Sequence, residues 1–193
     1  VQQRSAKRVE RMLEACAVLI DEVGYDGVTT TLIAERAGVA VGSLYQFFPD
    51  KRAVVQALTM RNLDLFMDTL TERFSKTVLE HWWDAVDTIF DVYIGMHRNV
   101  PAFSRLHFGD VVDMRLLDDR RDNNTVISDR MAELIAAKFG IPLQELQLPI
   151  SIAVQAADGI LDLAFRRDQL GDQNVLDEAK VLIRAYLSIR LPD

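Results

Sequence analysis

A single cysteine, Cys16, among 193 residues leaves the chain with no internal disulfide and no paired thiols for a zinc or redox site. A secreted disulfide scaffold is excluded. Long apolar runs are missing too: the longest, residues 15–20, is six residues closed off by Glu14 and Asp21, against the roughly 20 that a bilayer-crossing helix needs. With no secretory signal visible, the expectation is a cytoplasmic protein without a membrane partner. The sequence also lacks a phosphate-cradling glycine loop, a nucleophile elbow and a zinc-protease pattern, so no catalytic residue, metal or cofactor is expected. What is present is 49% hydrophobic and 26% charged residues, a balance that suits one compact unit or two small ones with a core in no need of covalent staples.

The net charge of -7 is unevenly distributed. Residues 1–52 hold seven Lys/Arg and seven Asp/Glu, which leaves 15 basic against 22 acidic residues for the remainder. Within the first eleven residues Arg4, Lys7, Arg8 and Arg11 face only Glu10. Such a local cluster marks either a nucleic-acid footprint inside an acidic chain or a solvated helix start.

Glycine and proline punctuate the chain at Gly24, Gly27, Gly38, Pro49, Pro101, Gly109, Gly140, Pro142, Pro149 and Gly171, and the stretches between them repeat at helical rather than strand period. Val9, Met12, Leu13, Cys16, Leu19, Ile20 and Val23 predict one amphipathic helix of about five turns ending at Gly24. Between Gly27 and Pro49 there is room only for two short helices, 30–37 and 41–47, split by Gly38-Val39-Ala40. Beyond Asp50 the predicted helices lengthen again: 51–79, 81–99, a short one after Pro101, a stretch across 110–139, then 149–167 and 173–191. The fold class is therefore all-α, with a small front domain over 1–50 and a larger helical domain over 51–193.

Two short helices joined by a tight glycine turn form a helix-turn-helix, whose second helix can enter the DNA major groove. Thr29 supplies a hydroxyl where the first short helix needs a cap, Ile33, Ala34 and Ala37 face inward, and Gly38 sits where the turn needs a positive φ. Val39, Leu44 and Phe48 anchor the second helix, leaving Val41, Gly42, Ser43, Tyr45, Gln46 and Phe47 outward. A helical hairpin packed into a core is the alternative. Gly24-Tyr25, Val28-Thr29, Ile33-Ala34, Ala37-Gly38-Val39, Gly42, Leu44-Tyr45, Phe48 and Lys51, taken together, closely resemble the signature of the TetR family of bacterial repressors.

That resemblance implies a three-helix DNA-binding domain, a helical ligand-binding and dimerisation domain, and repression of transcription that a small molecule relieves. By position in the motif, Thr31, Val41, Ser43, Tyr45 and Gln46 are expected nearest base edges, with Gly42 allowing close approach and Gln46 suited to bidentate contact with adenine. Thr30, Tyr45, Phe47 and Lys51 are expected to face phosphates, and Arg4, Lys7 and Arg8 to add backbone or minor-groove contacts on double-stranded DNA. Ala40 departs from the family pattern, in which Ser or Thr commonly caps the second helix.

In the rear domain, residues 149–167 carry Ile152, Ala156, Gly159, Ile160 and Leu163 on one side and Val154, Ala157, Leu161 and Phe165 on the other. A helix apolar on both sides is buried on both, either as a core helix or against a second subunit. The last helix, with Ala179, Leu182, Ile183 and Tyr186, has a similarly broad apolar face, so a homodimer is expected through these two helices. Two recognition helices roughly 34 Å apart would then read a near-palindromic operator. Phe90, Tyr93, Met96, His97, Phe103, His107 and Phe165 are the expected lining of an effector pocket, apolar with His97 or His107 as its polar handle. Asp84, Asp87 and Asp91 fall about 110° from the apolar face of their helix and so point to solvent. Two rival functions stay open at this point: an enzyme, and a helical ligand carrier that does not bind DNA.

Overall fold

The structure, a computed structural model, describes residues 2–106 and 123–191. Regular structure among these residues is helical throughout: α1 (Gln2–Gly27), α2 (Thr30–Arg36), α3 (Val41–Tyr45), α4 (Lys51–Lys76), α5 (Trp82–Asn99), α6 (Asn123–Phe139), α7 (Leu143–Arg167) and α8 (Gln173–Ser188). Two compact units share them. The first holds the described residues up to Asn62 together with residues 100–106; the second holds residues 63–99 and 123–191.

The first unit runs past the boundary expected at residue 50, for a physical reason. Val54, Val55 and Leu58 on the opening turns of α4 are fully buried and complete the core that Met12, Cys16 and Ile20 of α1 begin. Ala102 and Leu106 join the same core, and the Ala102 N–H donates to the Asp21 carboxylate of α1 at 2.9 Å. After Pro101 the chain makes successive turns in place of the expected short α-helix. α1 follows the predicted stripe and breaks at Gly24, whose φ of 73° and ψ of 167° only glycine adopts without strain. Val23 is the exception, half out in solvent at 51% exposure.

In the second unit α7 packs against both α6 and α8, while α5 touches α6 and α8. α7 begins at Leu143, a turn and a half before the expected start at Pro149. The hydrogen bond that Pro149 cannot make would go to the carbonyl of Glu145, an exposed residue, and fully buried Leu146 with buried Ile150 holds both sides of the proline in helix. By length and composition α7 is apolar enough to cross a membrane, which unbroken runs did not reveal. Asp158 and Asp162 lie within it, and its packing on α6 and α8 is that of a bundle helix. Asp172 caps α8 by accepting from the Asn174 and Val175 N–H groups.

Candidate nucleic-acid interface and effector site

Local chemistry sets the two short helices. The Thr29 hydroxyl accepts from the Leu32 N–H at 3.2 Å and starts α2. Gly38, at φ 65°, turns the chain, and the Val39 N–H returns to the Ala34 carbonyl at 2.9 Å. α3 then begins at Val41, and Ala40 at the cap position before it offers no side-chain hydrogen bond. It also ends early, at Tyr45, with Gln46 and Phe47 in the turn that follows. So short a helix cannot hold itself together. Ile33, Ala34, Leu44 and Phe48 are buried in the first unit's core and hold it in place. On the outside of α1, Glu22 pairs with Arg36 of α2 at 2.6 Å and Glu10 with Arg61 of α4 at 2.7 Å. The Arg36 guanidinium holds the Glu22 carboxyl below its ordinary range.

Outward from this frame stand Thr31, Gly42, Tyr45 and Gln46, with Thr30 and Ser43 half-exposed. A side chain added at Gly42 would meet open space, so nothing among the described residues blocks approach to α3 there. Tyr45 leans across the motif, its hydroxyl 3.0 Å from the Thr30 hydroxyl, so two residues expected at phosphates are already side by side. Arg4 and Lys7 are exposed and Arg8 half-exposed on α1. Three of the expected residues also make contacts within the first unit. Val41 and Phe47 are half-exposed and pack partly against the core. Lys51 is half-buried, and its ammonium turns back to the Tyr25 carbonyl at 2.9 Å and sits 4.3 Å above the Tyr25 ring.

The second unit contains an aromatic series. His97 and Phe165 stack face to face with centroids 3.7 Å apart, Tyr93 lies 5.3 Å from His97, and Phe66 of α4 meets Tyr93 edge-on at 6.2 Å. Phe90 and Met96 are buried on the same helix as Tyr93. Burial raises the Tyr93 phenol pKa, and the carboxylates of Asp158 and Asp162 on α7 raise it further, so the ring keeps its proton. Asp158 also accepts from Asn124 at 3.3 Å. The expected lining is only partly assembled: Phe103 belongs to the first unit, and His107 lies outside the described residues. Asp84 is spent on the start of α5, where it accepts from the Glu80 and His81 N–H groups, and Asp91 pairs with Lys180. Among the described residues no three His, Cys, Asp or Glu side chains gather as a metal cage.

Comparison with known proteins decides the family. The family profile described as "Tetracyclin repressor-like, C-terminal domain" matches residues 80–191, and that of "Bacterial regulatory proteins, tetR family" matches residues 12–58. The chain belongs to the TetR family of transcriptional regulators. A TetR-family regulator from Streptomyces coelicolor is 37% identical, with a TM-score of 0.83 over 95% of this chain and 99% of that one. The transcriptional repressor KstR of Rhodococcus jostii is 47% identical over 45 residues, which is 23% of this chain and 21% of KstR. A TetR variant from Acinetobacter baumannii, solved with minocycline, shares the fold at 20% identity and a TM-score of 0.61, over 94% of this chain and 97% of that one. The chain spans less than half the length of the curated relatives it matches.

The surfaces of α7 and α8 sort the residues named for a dimer interface. Ile152, Gly159 and Leu163 on α7 and Leu182 on α8 are exposed, with Ala156, Ile160 and Tyr186 half-buried. Ala179 and Ile183 are buried in the chain's own core, because α8 turns Leu176, Ala179, Ile183 and Leu187 inward as one stripe. Exposed Leu148 was missed, although it lies one turn before Ile152. Phe66, Asp158 and Asp162 were missed as well. For the aspartates the available signal was a carboxylate pair at i, i+4 in an otherwise apolar helix.

Proposed function

We propose that this chain is a homodimeric repressor that reads a near-palindromic operator with α3 and leaves it when a small apolar or aromatic effector enters the second unit. The observation that carries the reading is the α2–Gly38–α3 head, its core side sealed by Ile33, Ala34 and Leu44 and its outer side offering Thr31, Gly42, Ser43, Tyr45 and Gln46. In this reading Gln46 contacts a base edge, Thr30 and Tyr45 share a phosphate, and Arg4, Lys7 and Arg8 extend the footprint along the backbone. The stacked His97 and Phe165 with Tyr93 form the wall for a flat effector. α4 is one unbroken helix from Lys51 to Lys76, so a shift on the effector side travels to the reading head and changes its spacing from the partner head.

Family membership supports the reading, as do the name of the R. jostii relative, a repressor, and the minocycline held by the A. baumannii protein. The exposed Ile152, Leu163 and Leu182 support the dimer, since an apolar surface of this kind calls for cover. Selection of random duplexes on the purified chain tests it. The expected result is one enriched near-palindrome bound by two chains and weakened at least about tenfold by Tyr45→Ala. Recovery of no common sequence across a range of salt would overturn it.

A further inference from the structure

Lys51 occupies the first position of α4, where the helix dipole disfavours a cation. The structure shows what offsets this. The Lys51 ammonium donates to the Tyr25 carbonyl at 2.9 Å and lies 4.3 Å from the centre of the Tyr25 ring. That carbonyl, one residue beyond the break at Gly24, also accepts from the Val28 N–H at 3.3 Å, so two donors fix the end of α1. Tyr25 packs against the core of the first unit. Asp50 pins the other partner, its carboxylate accepting from the Ala53 N–H at 2.9 Å. The segment between Tyr25 and Lys51 is the whole reading head, α2 and α3 included. Joining its two ends closes a loop over a separation of 26 residues.

Resting on the DNA-reading function above, we propose that Lys51 is a positioning residue: with Tyr25 it clasps the two ends of the reading head and fixes the pose of α3, and so governs discrimination between operator and other DNA rather than phosphate attraction. A lysine that neutralises a phosphate strengthens binding to every duplex and adds about 0.9 to the slope of log affinity against log salt. A clasp contributes to the operator alone, because only specific contacts need α3 in one pose.

The test compares the parent with Lys51→Met, Tyr25→Leu and the double variant. Each is titrated with the selected operator and with a random-sequence duplex at several salt concentrations, well below its unfolding midpoint. Lys51→Met is expected to lose about tenfold or more in operator affinity, as for a hydrogen bond to a charged group, and Tyr25→Leu, which removes the ring but leaves the main-chain carbonyl as acceptor, about threefold, while random-duplex affinity stays within about twofold and the salt slope is unchanged. The double variant should bind no worse than Lys51→Met, since without the ammonium the Tyr25 ring has nothing left to hold. Tyr25→Leu leaves the charge of Lys51 in place, so its effect does not depend on how Lys51→Met folds. Lys51→Met weakening both duplexes alike with a shallower slope would assign a phosphate contact and overturn the proposal. A lowered unfolding midpoint with operator affinity intact would overturn it as well, leaving a merely structural tie. A parent that prefers no duplex would overturn the DNA-reading function, and this proposal with it.

Discussion

α3 and α8 present opposite surfaces. α3 buries Leu44 completely and turns Gly42, Tyr45 and then Gln46 to solvent. α8 buries Leu176, Ala179, Ile183 and Leu187, yet still leaves Val181, Leu182 and Ile189 exposed. One helix is too short to stand alone, so its stability is borrowed from the core beneath it and its outer side is free to be polar. The other is long enough to be apolar on two sides, and the second side is left exposed among the described residues. An outward face of hydrogen-bonding groups suits a polar, hydrated partner such as DNA; an outward face of leucine and isoleucine suits another protein surface.

The sharpest way to break this comparison is to remove the anchors. Leu44→Ala is expected to cost about 2–5 kcal/mol in urea unfolding and to abolish operator binding; a loss below about 1 kcal/mol would mean that the core does not hold α3. On α8 two adjacent residues should part company. Ile183→Ala, inside the core, should cost a similar amount in unfolding. Leu182→Glu, on the outer face, should convert dimer to monomer by light scattering while the single chain keeps its unfolding free energy to within about 0.5 kcal/mol. Equal behaviour of the two would erase the distinction between inner and outer stripes.

Smaller effects sharpen it at the helix starts. Thr29→Ala should destabilise by about 1 kcal/mol through loss of the bond to Leu32, and Ala40→Ser should stabilise by a comparable amount by giving α3 the cap it lacks. The smallest effect concerns pH. Arg36 lowers the folded-state pKa of Glu22, so this ion pair contributes above the ordinary carboxylate pKa and is lost as pH falls through the lowered value. The stability difference between the parent and Glu22→Gln should accordingly be present at neutral pH and vanish in acid.

The reading head was legible in the sequence because its constraints are local. Thr29 caps, Gly38 takes a positive φ, and the spacing of Ile33, Ala34, Leu44 and Phe48 fixes which side is inward. Lys51 escaped that reading, since its tie to Tyr25 spans a fold that no spacing reveals. The rear domain resisted for the same reason. Apolar periodicity placed Ile183 and Leu182 on one broad face, and only the packing of α8 on α7 and α5 separates them. Phe165 was named together with Tyr93 and His97, but Phe66 is distant in sequence and meets Tyr93 only in the folded bundle. Pro149 read as a helix start because a proline ordinarily ends what precedes it, whereas buried Leu146 and Ile150 carry α7 through it.

The central claim is that the outward residues of α3 and its following turn read bases. The base-preference profile of Gln46→Ala, set beside that of the parent, tests it most directly. The account predicts the same symmetric site with preference lost at one position in each half, worth about 1–3 kcal/mol against the wrong base. An unchanged profile and unchanged affinity in both Gln46→Ala and Tyr45→Ala would contradict it.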